Sequence, residues 1–314
     1  MEGYEMRKSI LLLPFILLVA SGCSQNHYNV PLKSFASEVR VLGVAPIMTD
    51  PGSDIDHPEK KELIALLSEM NRNNESLFVR KLKATGNFFT VAPLDGEPEK
   101  IFSRLFFRRE KRDDASIQYN KYFWKSEELR DYIRSNNLDA VMLIVVSGIK
   151  KTDKISSFTF MNSLTTEYNY LIMTAQIVDA DGRVLWEYPN FRSRSISYSP
   201  LLNLQYPDFS EAEANHYSKP NAKYKSMEGI RRNLQQKAKD ILLRETNEPV
   251  AYAGQFNEMI SYLKYDNDDA KVQDETLMLK EKQRQRPVSM PAAQGGAATS
   301  PPNPEPVAPA PAGK

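Results

Sequence analysis

The sequence predicts an α/β fold in which a mixed β-sheet is packed against helices. Apolar, strand-like segments alternate with amphipathic helical segments, and strands linked by helices favour parallel pairing. A turn at 179–182 joins two further strand-like segments, which adds an antiparallel pair. The last residues, 287–314, are mostly Pro, Ala, Gly and Ser and therefore predict a disordered tail.

The first half of the predicted domain contains strands and helices in alternation. They are a strand at 39–47, a helix at 63–82, a strand at 88–94, a short helix at 102–106 and a helix from Ser126 to Ile133. The nearly continuous apolar character of the first strand indicates that at least one of its faces is covered. Gly86 is the expected C-cap of the first helix, and Ser126, which precedes acidic residues, is the expected N-cap of the last.

The second half begins with strands in succession and ends with helices. The elements are strands at 138–148, 168–178 and 183–188, a helix at 230–242 and a further helix with apolar residues between 256 and 263. The segment 138–148 is the most apolar part of the mature chain, so we predict that it is the central strand. Asp179 to Gly182 form the expected hairpin turn.

The amino terminus has the pattern of an export signal. Arg7 and Lys8 precede an apolar run at 10–20, which is about half as long as the ~20 residues that a helix needs to span a bilayer. Met6 is an alternative start to Met1, because it removes acidic residues that weaken the positive charge of the signal.

Ala20, Ser21, Gly22 and Cys23 follow the apolar run and resemble the lipobox of bacterial lipoproteins. The resemblance implies cleavage before Cys23, a diacylglyceryl group on its thiol and an acylated amine. The partner of this residue is then the lipid bilayer. By the sorting rule of that family, Ser24 favours the outer membrane, with the domain facing the periplasm. The alternative is an ordinary secretory signal with an incidental cysteine.

Composition excludes several classes of function. The chain has 41 Lys and Arg against 40 Asp and Glu, so its overall charge does not favour nucleic acid as a partner. A single cysteine leaves no disulfide or thiolate metal site, and no pattern predicts a cofactor. The expected segments are a signal peptide at 1–22, a lipidated tether at 23–37, an α/β domain at 38–250, a charged, partly helical extension at 251–286 and the tail at 287–314.

Two short motifs carry a resemblance to a known family. Asp139-Ala140 precedes the apolar central strand, and Asp179, Gly182 and Trp186 mark the later hairpin. Together they resemble lipoproteins of the curli-secretion-channel (CsgG) and TolB amino-terminal-like superfamily, over roughly residues 38 to 245. The resemblance implies an envelope protein that binds proteins or assembles, rather than an enzyme. It also leaves a secretion-channel subunit as an alternative.

Curli channels use a transmembrane hairpin, and neither of the two segments of this sequence that could form one is suited to span a membrane. The hairpin at 168–188 carries Asp179, Arg183 and Glu187 and has the length of an ordinary sheet hairpin. Residues 150–166 are too few for two spanning strands of about 10 residues each. The sequence therefore disfavours a pore.

Acidic residues and a histidine follow the first strand, where ligands often bind in α/β sheets. Asp50, Asp54, Asp56 and His57 could hold a hard cation such as calcium through their oxygen atoms. The alternative is a plain solvated turn. The same loop would serve a periplasmic ligand-binding protein or hydrolase, although no histidine belongs to a recognisable triad.

Two other segments combine aromatic with polar side chains. Residues 106–112 could suit an anionic lipid surface or nucleic acid, or form a helix end with a solvated charged face. We favour the solvated helix end, and export argues against nucleic acid. The aromatic-rich region 188–224 could either anchor an interface or pack against its own sheet.

The sequence thus predicts a non-enzymatic, membrane-anchored envelope lipoprotein. We expect it to dock onto another envelope protein or onto its own copies.

Overall fold

The computed structural model describes residues 27–112, 118–156, 163–190, 199–206, 222–239 and 245–265. The helices are α1 (Leu32–Glu38), α2 (Lys60–Lys83), α3 (Pro98–Leu105), α4 (Ser126–Ser135), α5 (Met227–Gln235) and α6 (Val250–Leu263). The strands are β1 (Val41–Val44), β2 (Met48–Thr49), β3 (Thr90–Pro93), β4 (Phe106–Arg112), β5 (Tyr119–Trp124), β6 (Ala140–Ser156), β7 (Ser163–Asp179), β8 (Val184–Tyr188), β9 (Leu202–Asn203), β10 (Lys237–Lys239) and β11 (Glu245–Pro249).

The main sheet has the strand order β3-β1-β6-β7-β8. β1 pairs in parallel with both β3 and β6, whereas β6–β7 and β7–β8 are antiparallel. The short β2 adds to β6 in parallel, and β9 adds to β7. The predicted α/β fold with a mixed sheet and packed helices is therefore confirmed, and β6, predicted from 138–148, is its central strand.

Both faces of β6 are covered, which explains its unbroken apolar sequence. Met142 and Ile144 belong to the larger core, together with residues of α1, α2, α5 and α6. Val141 and Leu143 belong to a second core beneath α3, α4 and β5. Because successive side chains of a strand point to opposite faces, a strand buried on both sides needs apolar residues at nearly every position.

The first strand differs from its prediction. The segment 39–47 is divided, because β1 ends at Val44 and pairing resumes only at Met48. Pro46 lies in the gap and has no backbone N–H to donate to a ladder. The helix that follows ends at Lys83 with Ala84 at the cap position, so Gly86, the expected C-cap, lies two residues beyond the cap with a φ of 72°.

Two helix predictions were wrong in detail. Ser126 is the first residue of α4, and Lys125 occupies the cap position without a side-chain hydrogen bond to the helix. The helix expected at 230–242 ends at Gln235, and Ala238 lies in β10, which pairs with β11. The backbone N–H of Val250 donates to the carbonyl of Gln236 at 2.7 Å, so pairing with a later segment replaces the continuing helix.

The charged stretch that we interpreted as a solvated helix end is a β-strand. Residues 106–112 form β4, which pairs antiparallel with β5. We call these two strands the β4–β5 hairpin. The helical interpretation failed because the charged side chains of β4 alternate between its two faces. Arg109 points inward and forms an ion pair with Asp50, which is far away in the sequence.

β6 and β7 are longer than predicted, with 17 residues each. Their ladder runs without interruption from Ala140 opposite Asp179 to Ser156 opposite Ser163. Residues 150–156 and 163–169 are thus paired strands, and we call them the β6–β7 arm. The expectation that 150–166 is too short for two spanning strands of about 10 residues each was based on a strand predicted to end at 148 and a strand predicted to begin at 168. Because the arm has polar residues on both faces, its sequence has no apolar periodicity from which the full length of β6 and β7 could be predicted.

The ends of the domain pack more closely than the sequence predicts. Tyr28, Leu32 and Phe35, within the expected tether at 23–37, are buried in the larger core. The expected extension from 251 includes α6, whose apolar residues belong to the same core. In the part of the chain that the structure describes, no helix is both long and apolar enough to cross a membrane. The predicted signal peptide, Cys23 and the tail lie outside the described residues.

Candidate functional site

The loop at 50–57 follows β2 and lies at the carboxyl end of the parallel strands. Its first residue, Asp50, is buried at 3% exposure. The Asp50 carboxylate forms an ion pair with Arg109 of β4 and accepts a hydrogen bond from the Tyr122 hydroxyl of β5 at 2.8 Å. Its other oxygen accepts from the backbone N–H of Gly52 at 2.9 Å. Asp50 therefore connects the loop to the β4–β5 hairpin.

The charges of this network shift the pKa values of its members. Burial opposes the charge of Arg109, but the hydrogen bond and the negative charge of Asp50 outweigh it and raise the Arg109 pKa. Burial, followed by the charge of Asp50, raises the pKa of the Tyr122 hydroxyl. A neutral tyrosine and a charged arginine are therefore both held on one carboxylate, an arrangement that suits a structural connection.

The backbone of the loop lies directly on β6. The Ser53 hydroxyl donates to the Asp50 carbonyl at 2.6 Å and accepts from the backbone N–H of Gly148 at 2.9 Å. A Cβ atom at position 148 would lie 2.3 Å from the backbone nitrogen of Ile55, so only glycine allows this approach. The Asn169 side chain accepts from the Asp56 N–H at 3.0 Å. These contacts fix the course of the loop.

The other two carboxylates of the loop face separate basic side chains. Asp54 lies 3.8 Å from the Lys111 ammonium, and Asp56 lies 2.8 Å from that of Lys150. The hydrogen bond from Lys150 lowers the pKa of Asp56 against a smaller opposing effect of burial. Each carboxylate thus has a cationic partner within the chain.

The predicted histidine has a structural environment as well. His57 Nε2 lies 2.9 Å from the Lys225 carbonyl, and its Nδ1 accepts from the Glu59 N–H at 3.1 Å, so Nε2 carries the proton. Within the described ranges, no group of three or more His, Cys, Asp or Glu residues is arranged to hold a metal ion. The loop therefore brings the four predicted cation-site residues near one another but directs each to a different partner.

Comparison with known proteins adds little to this geometry. No known protein family matches the chain, and no curated protein matches it. Among solved structures, it is similar to a neuraminyllactose-binding hemagglutinin homolog from Helicobacter pylori, with 9% identity and a TM-score of 0.30. The match covers 81% of this chain and 96% of that one. A likeness at this level does not establish a shared fold or function, and the resemblance to the curli-channel superfamily stays a prediction.

The outer surface of the β4–β5 hairpin exposes aromatic and basic side chains. A register shift between Phe106 and Arg108 leaves Phe107 as the extra residue of a bulge, and its side chain is 62% exposed. The Arg108 guanidinium lies 4.0 Å from the centroid of the Phe123 ring, within the range of a cation–π contact. The composition of residues 106–112 pointed to a surface contact, but the helix end expected there is a β-strand.

The inner surface of the hairpin is fastened to β7 and β8. The Lys121 ammonium lies 2.9 Å from the carboxylate of Glu187, which is buried at 2% exposure. The Trp124 indole N–H donates to the Gln176 side-chain oxygen at 2.7 Å. A buried ion pair of this kind depends on both partners, because either charge alone would be desolvated without compensation.

His27, expected in a flexible tether, is fixed at the outer edge of β8. Its carbonyl accepts from the Glu187 N–H at 3.1 Å, and the next residue, Tyr28, pairs with Trp186. The His27 ring stacks on Tyr262 with centroids 4.1 Å apart, and its Nδ1–H donates to the Glu187 carbonyl at 2.9 Å. Burial lowers the His27 pKa. Sequence reasoning missed this site because a short edge segment has no periodicity.

The aromatic region at 188–224 is only partly described. Tyr188 is buried and Tyr224 packs against the larger core, whereas Tyr206 is 44% exposed. The remaining aromatic residues of this region lie outside the described ranges; they are Phe191, Tyr198, Phe209 and Tyr217. Of the described tyrosines in this region, Tyr188 and Tyr224 pack against their own domain, and Tyr206 is available at the surface.

An open groove of about 720 Å³ lies between α5 and β10. Its basic residues include Arg232, Lys237 and Lys239. Arg231 also lines it but is paired with Glu69 at 2.9 Å. The groove contains no residue of the loop at 50–57, so it does not support a ligand site built on that loop.

Proposed function

We propose that this protein is a non-enzymatic lipoprotein of the cell envelope, anchored through Cys23, that docks onto another envelope protein or onto its own copies. The observation that carries the proposal is the β6–β7 arm. β9 pairs with β7 only at Tyr170 and Leu171, and among the described residues no third strand pairs with 150–156 or 163–169. Open strand edges can accept a further strand from a partner.

The surface of the arm supports docking in water. Lys151, Thr152 and Lys154 are exposed on one strand, and Thr165 and Glu167 on the other. Solvated side chains keep such a ribbon soluble until its edge is covered. The length of 150–156 corresponds to about 20 Å at 3.3 Å per residue.

The loop at 50–57 supports the same proposal in a different way. Its carboxylates and histidine bind the hairpin and neighbouring strands of the same chain, so the loop has a structural role that accounts for its polar residues. A hydrolase or ligand-binding protein built on this loop would need Asp54 and His57 to face a common cavity, whereas they face Lys111 and the Lys225 carbonyl.

Photocrosslinking in native envelopes tests docking through the arm. A photoreactive amino acid at Thr165 should give an adduct with a partner or with a second copy, whereas the same group at Glu62, exposed on α2, should not. Equal adducts at the two positions, or none at any exposed position of the arm, would overturn the proposal. Separately, Cys23→Ala should abolish fatty-acid labelling and release the protein from the membrane fraction.

A secretion-channel subunit is the second candidate, and the arm is also the observation that favours it. Strands of 17 residues exceed the ~10 residues that a membrane-spanning strand needs. However, the arm carries Lys151 and Asp153 on one face and Lys154 and Glu167 on the other, whereas a lipid-facing surface is apolar. Ion conductance by the detergent-purified oligomer would favour the channel over docking.

A further inference from the structure

We propose that the partner of the β6–β7 arm is a protein embedded in the membrane that holds Cys23, and that it adds a strand to the β7 edge of the arm. The inference rests on the proposed function and deepens it by stating which edge is used and where the partner lies. Three observations lead to it: the direction of the chain beside β8, the short link to Cys23, and the backbone groups along the β7 edge.

The chain before α1 runs along the outer edge of β8 in a defined direction. The N–H of Asn29 donates to the Leu185 carbonyl, and the N–H of Glu187 donates to the His27 carbonyl, so this segment is antiparallel to β8. β8 is itself antiparallel to β7, with Glu187 opposite Gln176. Followed backwards from residue 29 to residue 27, the chain therefore points toward the lower residue numbers of β7, which is the direction of the arm.

The arm lies on the side of the domain from which the chain leads to Cys23. It begins at Asn169, which is about 23 Å from Gln176 along β7, and its last paired residue, Ser163, is about 43 Å away. Neighbouring strands are rotated by about 20–25°, so the first residues and β7 differ in direction by roughly 45°, well short of a right angle. The turn at 179–182 lies at the opposite end of the sheet.

The link between the fold and the predicted anchor is short. Only residues 24–26 separate Cys23 from His27. A fully extended chain covers at most about 14 Å over this stretch. The surface of a bilayer that holds an acylated Cys23 therefore passes close to His27, on the side toward which the arm extends. The polar residues on both faces of the arm oppose its insertion among lipid chains, so the arm lies along the bilayer surface.

The β7 edge of the arm directs backbone groups outward. The N–H of Asn169 donates to the Gln205 side-chain oxygen at 2.8 Å, and its carbonyl accepts from the Leu204 N–H at 2.9 Å, so both groups face away from β6. Backbone groups alternate in direction along an antiparallel strand, so three residues of the arm direct theirs the same way. These residues are Ser163, Thr165 and Glu167. None of the described strands pairs with them on that side.

The β7 edge, rather than the β6 edge, is the one nearer the anchor. In the sheet, β7 lies between β6 and β8, and the segment at His27 lies beyond β8. The outer edge of β6 is on the side of β1. A strand added at Ser163 to Glu167 would therefore stand on the same side of the sheet as the chain that leads to Cys23. Glu167 is exposed there and favours a basic residue opposite it on the added strand.

A partner in the same membrane compensates for the small size of this edge. Three residues provide few hydrogen bonds, and each makes only a small net contribution. Such an edge would bind a protein in free solution weakly. Two proteins held in one membrane are confined beside each other, which raises the effective concentration of each for the other.

Two proline variants on the same rung of the ladder test the edge. Thr165 lies opposite Lys154, and their backbone groups face outward on opposite edges of the arm. Proline at such a position removes an outward N–H and leaves the ladder between β6 and β7 intact. With a photoreactive amino acid at Glu167 in native envelopes, we expect Thr165→Pro to lower the yield of the protein adduct by about tenfold, and Lys154→Pro to change it by less than about twofold.

Lengthening the link to Cys23 tests the role of the membrane. An insertion of about 20 Gly and Ser residues between Ser24 and Gln25 makes the link about six times as long, which should lower the effective concentration and the adduct yield by about tenfold. The same insertion after Pro301, in the predicted tail, should have no effect. The captured protein, identified by mass spectrometry, should remain in the membrane pellet after alkaline extraction of cells that lack this lipoprotein.

The outcomes separate this inference from the proposed function. A soluble captured protein, a second copy of this chain, or equal losses with the two proline variants would overturn the inference and leave docking through the arm intact. Adducts with lipid alone, or with nothing at any position of the arm, would overturn both. A Cys23 that carries no fatty acid would overturn the inference together with the anchor. Equal thermal unfolding midpoints of the proline variants exclude unfolding as the cause of a loss, and the insertion, which leaves the domain unchanged, tests the inference independently.

Discussion

Replacing Asp50 by asparagine removes the charge on which the loop and the β4–β5 hairpin converge. The substitution keeps the size of the side chain but leaves Arg109, whose side chain is 25% exposed, without its anionic partner. A hydrogen bond to a charged group contributes about 1.5–3 kcal/mol, and breaking a fully buried pair costs about 3–5 kcal/mol. Because water can reach part of Arg109, we expect Asp50→Asn to lower the free energy of unfolding by about 2–3 kcal/mol.

Denaturant unfolding of the Cys23→Ala protein measures this loss. The matched control is Asp54→Asn in the same loop, because Asp54 is 47% exposed and lies 3.8 Å from Lys111. A pair of this kind contributes at most about 1 kcal/mol. If the two substitutions destabilise the protein equally, or if Asp50→Asn changes the free energy of unfolding by less than about 0.5 kcal/mol, the hairpin is not held by Asp50.

Two further predictions concern His27 and the glycines. Burial lowers the pKa of His27 below its ordinary 6.5, so on acidification the unfolded chain binds a proton before the folded protein does. The contribution of His27 to stability should therefore be complete above pH 6.5 and decrease as the pH falls below it. Unfolding midpoints measured at pH 7.5 and pH 5 should differ less for His27→Gln than for the wild-type protein. Gly148→Ala should lower the free energy of unfolding by about 1–3 kcal/mol or more, because the added Cβ would clash with the loop backbone. Gly254→Ala, whose Cβ would lie in open space on α6, should instead raise it by up to about 1 kcal/mol. Thermal unfolding compares the two variants, and equal shifts of their melting temperatures would contradict the close approach at Gly148.

The central strand and its hairpin partner were predictable because their signals are local. A strand covered on both faces must be apolar at consecutive positions, and Val141 to Val146 show this directly. The turn between β7 and β8 needs a residue with positive φ, and Gly182, with a φ of 79°, provides it. Neither inference requires knowledge of a distant contact.

The β4–β5 hairpin was not predictable in the same way. Arg109 and Lys121 are tolerated in partly buried positions only because Asp50 and Glu187 lie opposite them, and those partners are more than 50 residues away in the sequence. A charged residue carries no local sign of whether its partner is water or a carboxylate. The arm escaped prediction for a related reason, since a ribbon with polar residues on both faces has no apolar alternation.

The same distinction applies to the candidate sites. The sequence alone determined the α/β class, the central strand and the turn at 179–182, because each depends on neighbouring residues, and the lipobox at Cys23 stays a prediction from such neighbours. Only the tertiary structure decided that Asp50 binds the hairpin, that Asp54 and His57 face different partners, and that His27 is fixed at the edge of β8. These outcomes depend on which distant residues the fold brings within hydrogen-bonding distance, and a charge or a strand edge acquires its role only from such a neighbour.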